Sequence, residues 1–246
     1  MDRMIYTAMT GAKHIMEQQA NTAHNLANVS TTGFRAQLDS FRAVPVVSDS
    51  MPTRTFVVDS TVGADFTPGP LQQTGRALDV ALQGKGWIAV QREDGTEAMT
   101  RQGSLKTNEN GLLLTAGGQS VQGDAGPISI PPDVNVTIAS DGTISTTDRA
   151  GKPGQANIIG RIKLVNPPEE SLERGDDGLF RIKGGGEAEV DANVRLAGGA
   201  LEGSNVNPVD AMVNMISLGR QFEMHMSLLK NAESNAAKAS QIMSLS

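Results

Sequence analysis

The sequence predicts an α+β fold in which amphipathic helices at the two chain ends form a helical domain beside a β-rich centre. Three observations carry this prediction: an apolar helical stripe near the N-terminus, a second near the C-terminus, and turn-bounded strand patterns between them. The centre has few large apolar residues, so we expect the two helices to pair in a coiled-coil-like arrangement. The predicted domains are 1–33 with 204–246 as the helical domain, 34–70 as an extended linker or connecting β segment, and 71–203 as a β-rich outer domain.

The first predicted helix carries its apolar residues at heptad-like steps, which places them on one face. The apolar members of the stripe are Ile5, Ala8, Ala12, Ile15 and Leu26, and the polar residues Gln19 and Thr22 occupy the steps between the last two. These side chains are mostly small, so the spacing suits close packing in a crowded helical array better than a strict dimeric coiled coil. Polar residues accumulate after Leu26, and Gly33 can supply a positive φ, so the helix should end in this region.

The second predicted helix is longer and rich in methionine, a residue that adapts to irregular apolar surfaces. Its stripe consists of Met212, Met215, Phe222, Met226 and Leu229. Asn207 can cap the helix, and Pro208 suits the first helical position. An ordinary core helix is the alternative interpretation. The lean centre of the chain favours an interface with other helices instead.

The centre of the chain contains three dipeptides typical of β-hairpin turns. They are Asp94-Gly95, Asn110-Gly111 and Asp141-Gly142, each followed by a plausible strand. Alternating apolar residues in 134–138 and 162–165 indicate further strands. The centre is therefore predicted to be β-rich.

Composition excludes several classes of function. The net charge is −6 and no basic cluster is present, which argues against nucleic acid and anionic lipid as main partners. The chain contains no cysteine, which excludes disulfide and thiolate chemistry. No 18-residue apolar run exists, so we expect no membrane insertion. The N-terminus lacks a continuous apolar signal core, so any export should leave it uncleaved.

Residues that could support catalysis or metal binding are scarce. His14 and His24 lie ten positions apart, whereas metal-binding histidines on a helix are three or four apart. The acidic pairs Glu169-Glu170 and Asp176-Asp177 fall in polar loops, where carboxylates are usually solvated. We therefore expect no catalytic site, no metal and no cofactor, and predict that the protein is not an enzyme.

Two motifs resemble the terminal signatures of bacterial flagellar axial proteins, the rod and hook family. The N-terminal one is Asn25-Leu26-Ala27-Asn28-Val29-Ser30-Thr31-Thr32-Gly33-Phe34-Arg35, and the C-terminal one is Leu201-Glu202-Gly203-Ser204-Asn205-Val206-Asn207-Pro208-Val209. Thr100-Arg101-Gln102-Gly103-Ser104 also looks familial. Thr32 departs from the family, which often has proline there, so the exit from the helix could be looser in this chain. The motif residues of interest are Asn25, Leu26, Ala27, Asn28, Gly33, Phe34, Ser204, Asn205 and Val206.

The resemblance is greatest to proximal-rod members of the family, and distal-rod or hook-type members are the alternatives. It implies a helical domain, called D0, built from both termini, and assembly into the torque-transmitting rod of the basal body. It implies contacts with proximal and distal rod subunits and with copies of itself, and export by the flagellar type III apparatus without a cleaved signal. The two terminal stripes are then the expected subunit interface, in a rod that spans the periplasm.

A function from another class is a secreted β-rich enzyme or carbohydrate-binding module with helical ends. Such a module would need exposed aromatic platforms, and the chain has one Trp and one Tyr. A generic coiled-coil adaptor would leave the β-rich centre unexplained.

Overall fold

The computed structural model describes residues 2–45, 55–148 and 156–244. In these ranges the α-helices are α1 (Asp2–Ala27) and α2 (Pro208–Ser244), and a 3-10 helix spans Glu169–Ser171. The strands are β1 (Gln37–Pro45), β2 (Thr55–Ala64), β3 (Leu71–Gln73), β4 (Val80–Gln83), β5 (Trp87–Gln91), β6 (Glu97–Thr100), β7 (Leu105–Thr107), β8 (Leu113–Thr115), β9 (Ser120–Gly123), β10 (Gly126–Pro127), β11 (Val134–Ile138), β12 (Thr143–Asp148), β13 (Asn157–Arg161), β14 (Leu164–Val165), β15 (Leu172–Arg174), β16 (Phe180–Ile182), β17 (Arg195–Gly198) and β18 (Ala200–Glu202).

The chain divides into two compact units, each assembled from separate stretches of sequence. The first, which we call the terminal unit, combines Met1–Val29, Gln37–Asp65 and Val206–Ser246. The second, which we call the body, combines Ser30–Ala36 with Phe66–Asn205. Each unit is described by itself below.

The prediction of a helical, coiled-coil-like domain formed by the two ends is wrong. Most secondary-structure elements in the described residues are strands, and the terminal unit holds the antiparallel β1–β2 pair as well as both helices. Pro45 is compatible with this pairing because β1 is an edge strand of a two-stranded sheet, where a missing backbone N–H is tolerated. The combination of helices with strands is the part of the predicted α+β class that agrees with the structure. Residues 46–54 of the predicted linker lie outside the described residues.

The end of α1 and the start of α2 lie where the sequence predicted them. The helix α1 ends at Ala27, and Asn28 Nδ2 donates a hydrogen bond to the carbonyl oxygen of His24 at 2.9 Å. The helix α2 begins at Pro208, and the backbone N–H of Val209 donates to Asn207 Oδ1 at 3.0 Å. Asn207 is therefore the N-cap that the sequence predicted.

The two helices contact each other within the terminal unit. A Cβ built on Gly11 would lie 2.4 Å from His225 Cε1, so the ring packs directly on the glycine backbone. Gly11 lies 16 residues before the end of α1, and His225 lies 17 residues after the start of α2. The contact therefore lies about 24–26 Å along each helix from the end of α1 and from the start of α2, because each residue advances a helix by about 1.5 Å.

Antiparallel strand pairing builds the body. Its main sheet has the order β15-β16-β6-β5-β9-β8-β7, with β10 beside β9 and β14 beside β5. The strands β11, β12 and β13 form a second sheet, and β4 and β3 pair with β17 and β18. The three predicted turns connect β5 to β6, β7 to β8 and β11 to β12, with Gly95, Gly111 and Gly142 at positive φ. These hairpins are confirmed.

The body has one large apolar core cluster, to which β4, β5 and β17 contribute. The strand β5 is buried from Trp87 to Val90, as expected of a central strand covered on both faces. Trp87 lies 4.5 Å from the ring of Phe180 and 6.0 Å from that of Phe66. Trp87 is the chain's single tryptophan, so its fluorescence reports on this core.

Candidate assembly site

Two short segments of the body lead toward the helices, and they are bonded to each other. We call 30–36 the N-connector and 200–205 the C-connector. The backbone N–H of Gly33 donates to the carbonyl oxygen of Glu202 at 2.8 Å. The N–H of Ala36 donates to Asn205 Oδ1 at 2.7 Å, and the N–H of Asn205 donates to the carbonyl oxygen of Phe34 at 3.4 Å. The two family motifs therefore meet in space.

A buried ion cluster lies at this junction. Arg35 Nη2 is 2.6 Å from Glu202 Oε1, and Arg101 Nε is 2.8 Å from Glu202 Oε2. The side chains of Arg35 and Glu202 are fully buried, and that of Arg101 is 3% exposed. Burying a charge is costly unless it is paired and hydrogen-bonded. One carboxylate thus serves as counterion for two guanidinium groups from distant parts of the chain.

Backbone groups complete much of the bonding in the cluster. Arg101 donates from Nη1 to the carbonyl oxygen of Gly86 at 3.0 Å and from Nη2 to that of Gly84 at 2.6 Å. The N–H of Gly69 donates to Glu202 Oε1 at 3.0 Å. Burial lowers the pKa of Arg101, while the charge of Glu202 acts in the opposite direction. Nε and Nη1 of Arg35 are buried without a hydrogen-bond partner in the described part of the chain.

Gly33 and Phe34 fit the N-connector to the body by shape. Gly33 has φ +69°, as expected from the sequence, and a Cβ there would lie 2.4 Å from the carbonyl carbon of Arg101. Phe34 is buried, and the guanidinium of Arg174 lies 4.6 Å from the centre of its ring. Arg174 Nη1 also donates to the carbonyl oxygen of Arg35 at 2.9 Å, and burial lowers the pKa of Arg174. At position 33, glycine is therefore required both by the positive φ and by the close approach of the Arg101 backbone.

The Asn-Leu-Ala-Asn motif belongs to the terminal unit, and its two asparagines act differently. Asn25 Oδ1 accepts from the N–H of Gln37 at 2.8 Å, and its Nδ2 donates to the carbonyl oxygen of Gln37 at 3.0 Å. Asn25 thereby ties the last turn of α1 to the first residue of β1, whereas Asn28 caps the helix. Leu26 between them is half-buried, and Ala27 is exposed.

Burial along α1 follows the predicted stripe. Ala8, Ala12 and Ile15 are buried, and Ile5 is half-buried. Large apolar side chains also lie outside the stripe and are more than half exposed. These are Tyr6, Met9 and Met16.

Burial along α2 agrees with the predicted stripe at some positions and differs at others. The less exposed positions recur at steps of three and four. They are Ala211, Met215, Leu218, Gly219, Phe222, His225, Leu229 and Ala232. Met212 and Met226 of the predicted stripe are exposed at 53% and 47%. Ala211 and His225 lie on the less exposed side in their stead, which hydrophobicity alone did not indicate.

A second apolar face therefore lies on the other side of α2, near its start. Its members are at i, i+3, i+4 and i+7, which places them on one face of a helix. They are Val209, Met212, Val213 and Ile216, which are 65%, 53%, 60% and 60% exposed. We call this set the outer face of α2. Apolar side chains clustered and exposed in this way are typical of interaction sites.

The sequence motifs contain Arg35, Arg101 and Glu202, but the sequence alone did not predict a role for these three residues. Their contact joins positions 35, 101 and 202, and periodicity reports only on neighbours within one helix or strand. The available signal was a single charged residue inside each of three motifs that are otherwise uncharged.

The described residues contain no cluster of three or more His, Cys, Asp or Glu side chains placed to hold a metal ion. In the same part of the chain, neither helix is long and apolar enough to cross a membrane.

The fold and the junction describe a structural subunit in which segments of two distant motifs are bonded to each other within a β-rich body, and comparisons with known proteins agree with this class. Residues 81–146 match the D1 domain of the flagellar hook protein FlgE/F/G, and residues 197–242 match the C-terminal region of flagellar basal body rod FlgEFG proteins. The flagellar basal-body rod protein FlgF of Escherichia coli K12 is 48% identical, over the full length of both chains. FlgF of Caulobacter vibrioides is 31% identical over 94% of each chain.

A rod protein of the FlgG type is more distant. The FlgG protein of Bacillus subtilis is 27% identical over 95% of this chain and 96% of its own length. The chain belongs to the FlgF family of flagellar basal-body rod proteins. It is a structural subunit of the proximal rod in the flagellar basal body, and it assembles with other rod or hook subunits.

Proposed function

We propose that the outer face of α2 is the surface through which this subunit contacts its neighbours in the rod. The observation that carries the proposal is the exposure of four apolar side chains on one face, while the opposite side of α2 is less exposed and the helix contacts α1. Met226 and the exposed α1 residues Tyr6, Met9 and Met16 extend the apolar surface available to neighbours.

Burying the outer face against a neighbouring subunit would stabilise the assembly. Fully burying one Val, Met or Ile side chain contributes about 1.5–3 kcal/mol. Four of them exceed the free energy that an exposed ion pair supplies, which is about 0–1 kcal/mol. Many repeated contacts of this size stabilise an assembly in which each single contact is modest.

The remaining members of the predicted interface act mainly inside the subunit in this proposal. Ala8, Ala12 and Ile15 are already buried, and Met215, Phe222 and Leu229 are half-buried. They hold the terminal unit together and set the direction in which the outer face points. Leu26 is half-buried beside the Asn25–Gln37 bonds, and it contributes to the same packing.

Partners follow from the geometry of a rod. The outer face consists of apolar side chains whose complement is a different surface on the next subunit, and such heterologous contacts generate open helical assemblies. The neighbours in this proposal are other proximal and distal rod proteins and copies of this chain. The buried ion cluster fixes both connectors to the body, so that a twisting load is carried by bonded structure.

Export by the flagellar type III apparatus, without a cleaved signal, would deliver the subunit to a rod that spans the periplasm. The absence of cysteine suits a chain that travels unfolded through compartments of different redox state. The role proposed is structural, without catalysis.

The test compares two charge substitutions on α2 in a motile bacterium that carries this chain as its rod subunit. Ile216→Asp places a charge on the outer face, and Asn214→Asp places the same charge at an exposed position off that face. We expect both chains to be exported, Ile216→Asp to be lost from isolated basal bodies, and motility to be lost with it. Normal swimming with Ile216→Asp would remove the outer face from the interface.

A further inference from the structure

The two connectors differ in where their charged side chains find partners. The C-connector contains β18, which pairs with β3 from Ala200 to Glu202, and the N–H of Gly203 donates to the carbonyl oxygen of Pro70 at 2.8 Å. The Glu202 carboxylate in this connector pairs with Arg101 and accepts a hydrogen bond from the N–H of Gly69. All of these partners belong to Phe66–Asn205 and not to the N-connector.

The N-connector, in contrast, is bonded largely to the C-connector. The N–H of Gly33 donates to Glu202, the N–H of Ala36 donates to Asn205, and the side chain of Arg35 pairs with Glu202. In the rest of the body, Gly33 also packs against the backbone of Arg101, and Arg174 bonds the carbonyl of Arg35 and covers Phe34. Without Glu202, docking would bury the Arg35 guanidinium beside Arg101 without a carboxylate, which is strongly unfavourable.

We propose that the connectors dock on the body in a fixed order, the C-connector first and the N-connector only onto it. Glu202 acts as the coupling residue, since it is satisfied by the body alone but is required by Arg35. Thermodynamic coupling between the two events is reciprocal. The C-connector nevertheless stays docked when the N-connector leaves, because the bonds of β18, Gly203 and Arg101 remain.

This order has a consequence that rests on the export proposed above. A chain that emerges from an export channel end first keeps its N-connector undocked until residues near 202 have also emerged. The last step of folding would then join the two ends, whichever end leaves the channel first.

Hydrogen exchange of single backbone amides in the full-length chain tests the order without any reference to export. The Gly33 amide reports on the N-connector, and the Gly203 amide reports on the C-connector. The Leu113 amide, bonded to Ile128 at 2.9 Å within the body, reports on global folding. The variants are Glu202→Gln, Asn205→Ala and Arg35→Met, with Glu169→Gln in the exposed Lys85–Glu169 pair as control.

We expect Asn205→Ala to accelerate exchange at Gly33 about tenfold or more, although Gly33 does not bond the Asn205 side chain. Glu202→Gln should accelerate it further. Arg35→Met should accelerate exchange at Gly33 and leave Gly203 protected. Glu169→Gln should change neither amide. Where Glu202→Gln also exposes Leu113, the body has unfolded, and Asn205→Ala decides the question.

Two results would overturn the proposal. If Gly33 stays protected in Asn205→Ala, the N-connector docks independently. If Arg35→Met exposes Gly203 as much as Gly33, the connectors dock in a single step and not in an order.

Discussion

Arg35 and Glu202 are 167 positions apart in the sequence, and their side chains meet at 2.6 Å in a fully buried ion pair. Arg35 ends the N-terminal motif and Glu202 lies within the C-terminal one. The pair shows how the two family motifs act together: Glu202 of the second motif supplies the carboxylate that allows Arg35 of the first motif to be buried.

The first prediction concerns the energetic role of this pair. Glu202→Leu should lower the free energy of unfolding by about 3–5 kcal/mol, because it leaves two buried guanidinium groups without a carboxylate. Urea unfolding followed by Trp87 fluorescence measures the loss. The control, Glu169→Gln, removes an exposed pair and should cost less than about 1 kcal/mol.

An apolar triple variant separates pairing from packing. Arg35→Met, Arg101→Met and Glu202→Leu together remove all three charges and should recover most of the loss, as replaced buried ion pairs often do. Equal stability of Glu202→Leu and the natural chain would show that the cluster contributes nothing.

The second prediction concerns Gly33, where conformation and space act together. Gly33→Ala should destabilise the body by more than about 2 kcal/mol, since a left-handed residue costs about 1–2 kcal/mol before any clash. Gly118→Ala is the matched control, because Gly118 has φ +90° but open space around its Cβ position. Urea midpoints of the two variants give the difference. Equal losses would mean that the approach of Arg101 does not matter.

The third prediction concerns the contact between α1 and α2. Gly11→Ala should lower the thermal midpoint of the helical circular dichroism signal, because the new methyl group would overlap the His225 ring. Gly219→Ala lies in α2 with nothing near its Cβ position, and it should stabilise the helix by up to about 1 kcal/mol. His225→Ala should rescue Gly11→Ala. An increase in stability from Gly11→Ala alone would mean that the helices do not meet at this point.

The fourth prediction is a pH dependence from the Asp141-Gly142 turn. The backbone N–H of Thr143 and then its hydroxyl group hold the pKa of Asp141 below its ordinary value. A depressed folded-state pKa stabilises the protein above the unfolded-state pKa of about 3.9, and the contribution is lost as pH falls through the folded-state pKa. Carboxyl NMR titration should show a higher pKa for Asp141 in Thr143→Val. An unchanged titration would contradict the assignment of the hydroxyl group.

Local signals in the sequence predicted the elements that depend on neighbouring residues. Asn207 and Pro208 marked the start of α2, and three Asp-Gly or Asn-Gly dipeptides marked hairpins. Each of these features is decided within a few residues by backbone conformation or by a cap. Their physical cause is therefore visible in the sequence.

Contacts over long distances were not predictable in the same way. Met215, Phe222 and Leu229 fit two stripes along α2, and the side of the helix that contacts α1 depends on His225 meeting Gly11. The pairing of β1 with β2 in the terminal unit depends on contacts that no local signal in the sequence reports. The charge cluster brings together residues 35, 101 and 202. A single sequence does not indicate which residues so far apart along the chain are in contact.

The most direct test of the account uses the absence of cysteine in the chain. Val213→Cys on the outer face of α2 and Asn214→Cys beside it can each carry a short photo-reactive cross-linker in isolated basal bodies. We predict that position 213 cross-links to a neighbouring rod subunit in high yield and position 214 in much lower yield. Efficient cross-linking from 214 with none from 213 would contradict the assignment of the outer face as the subunit interface.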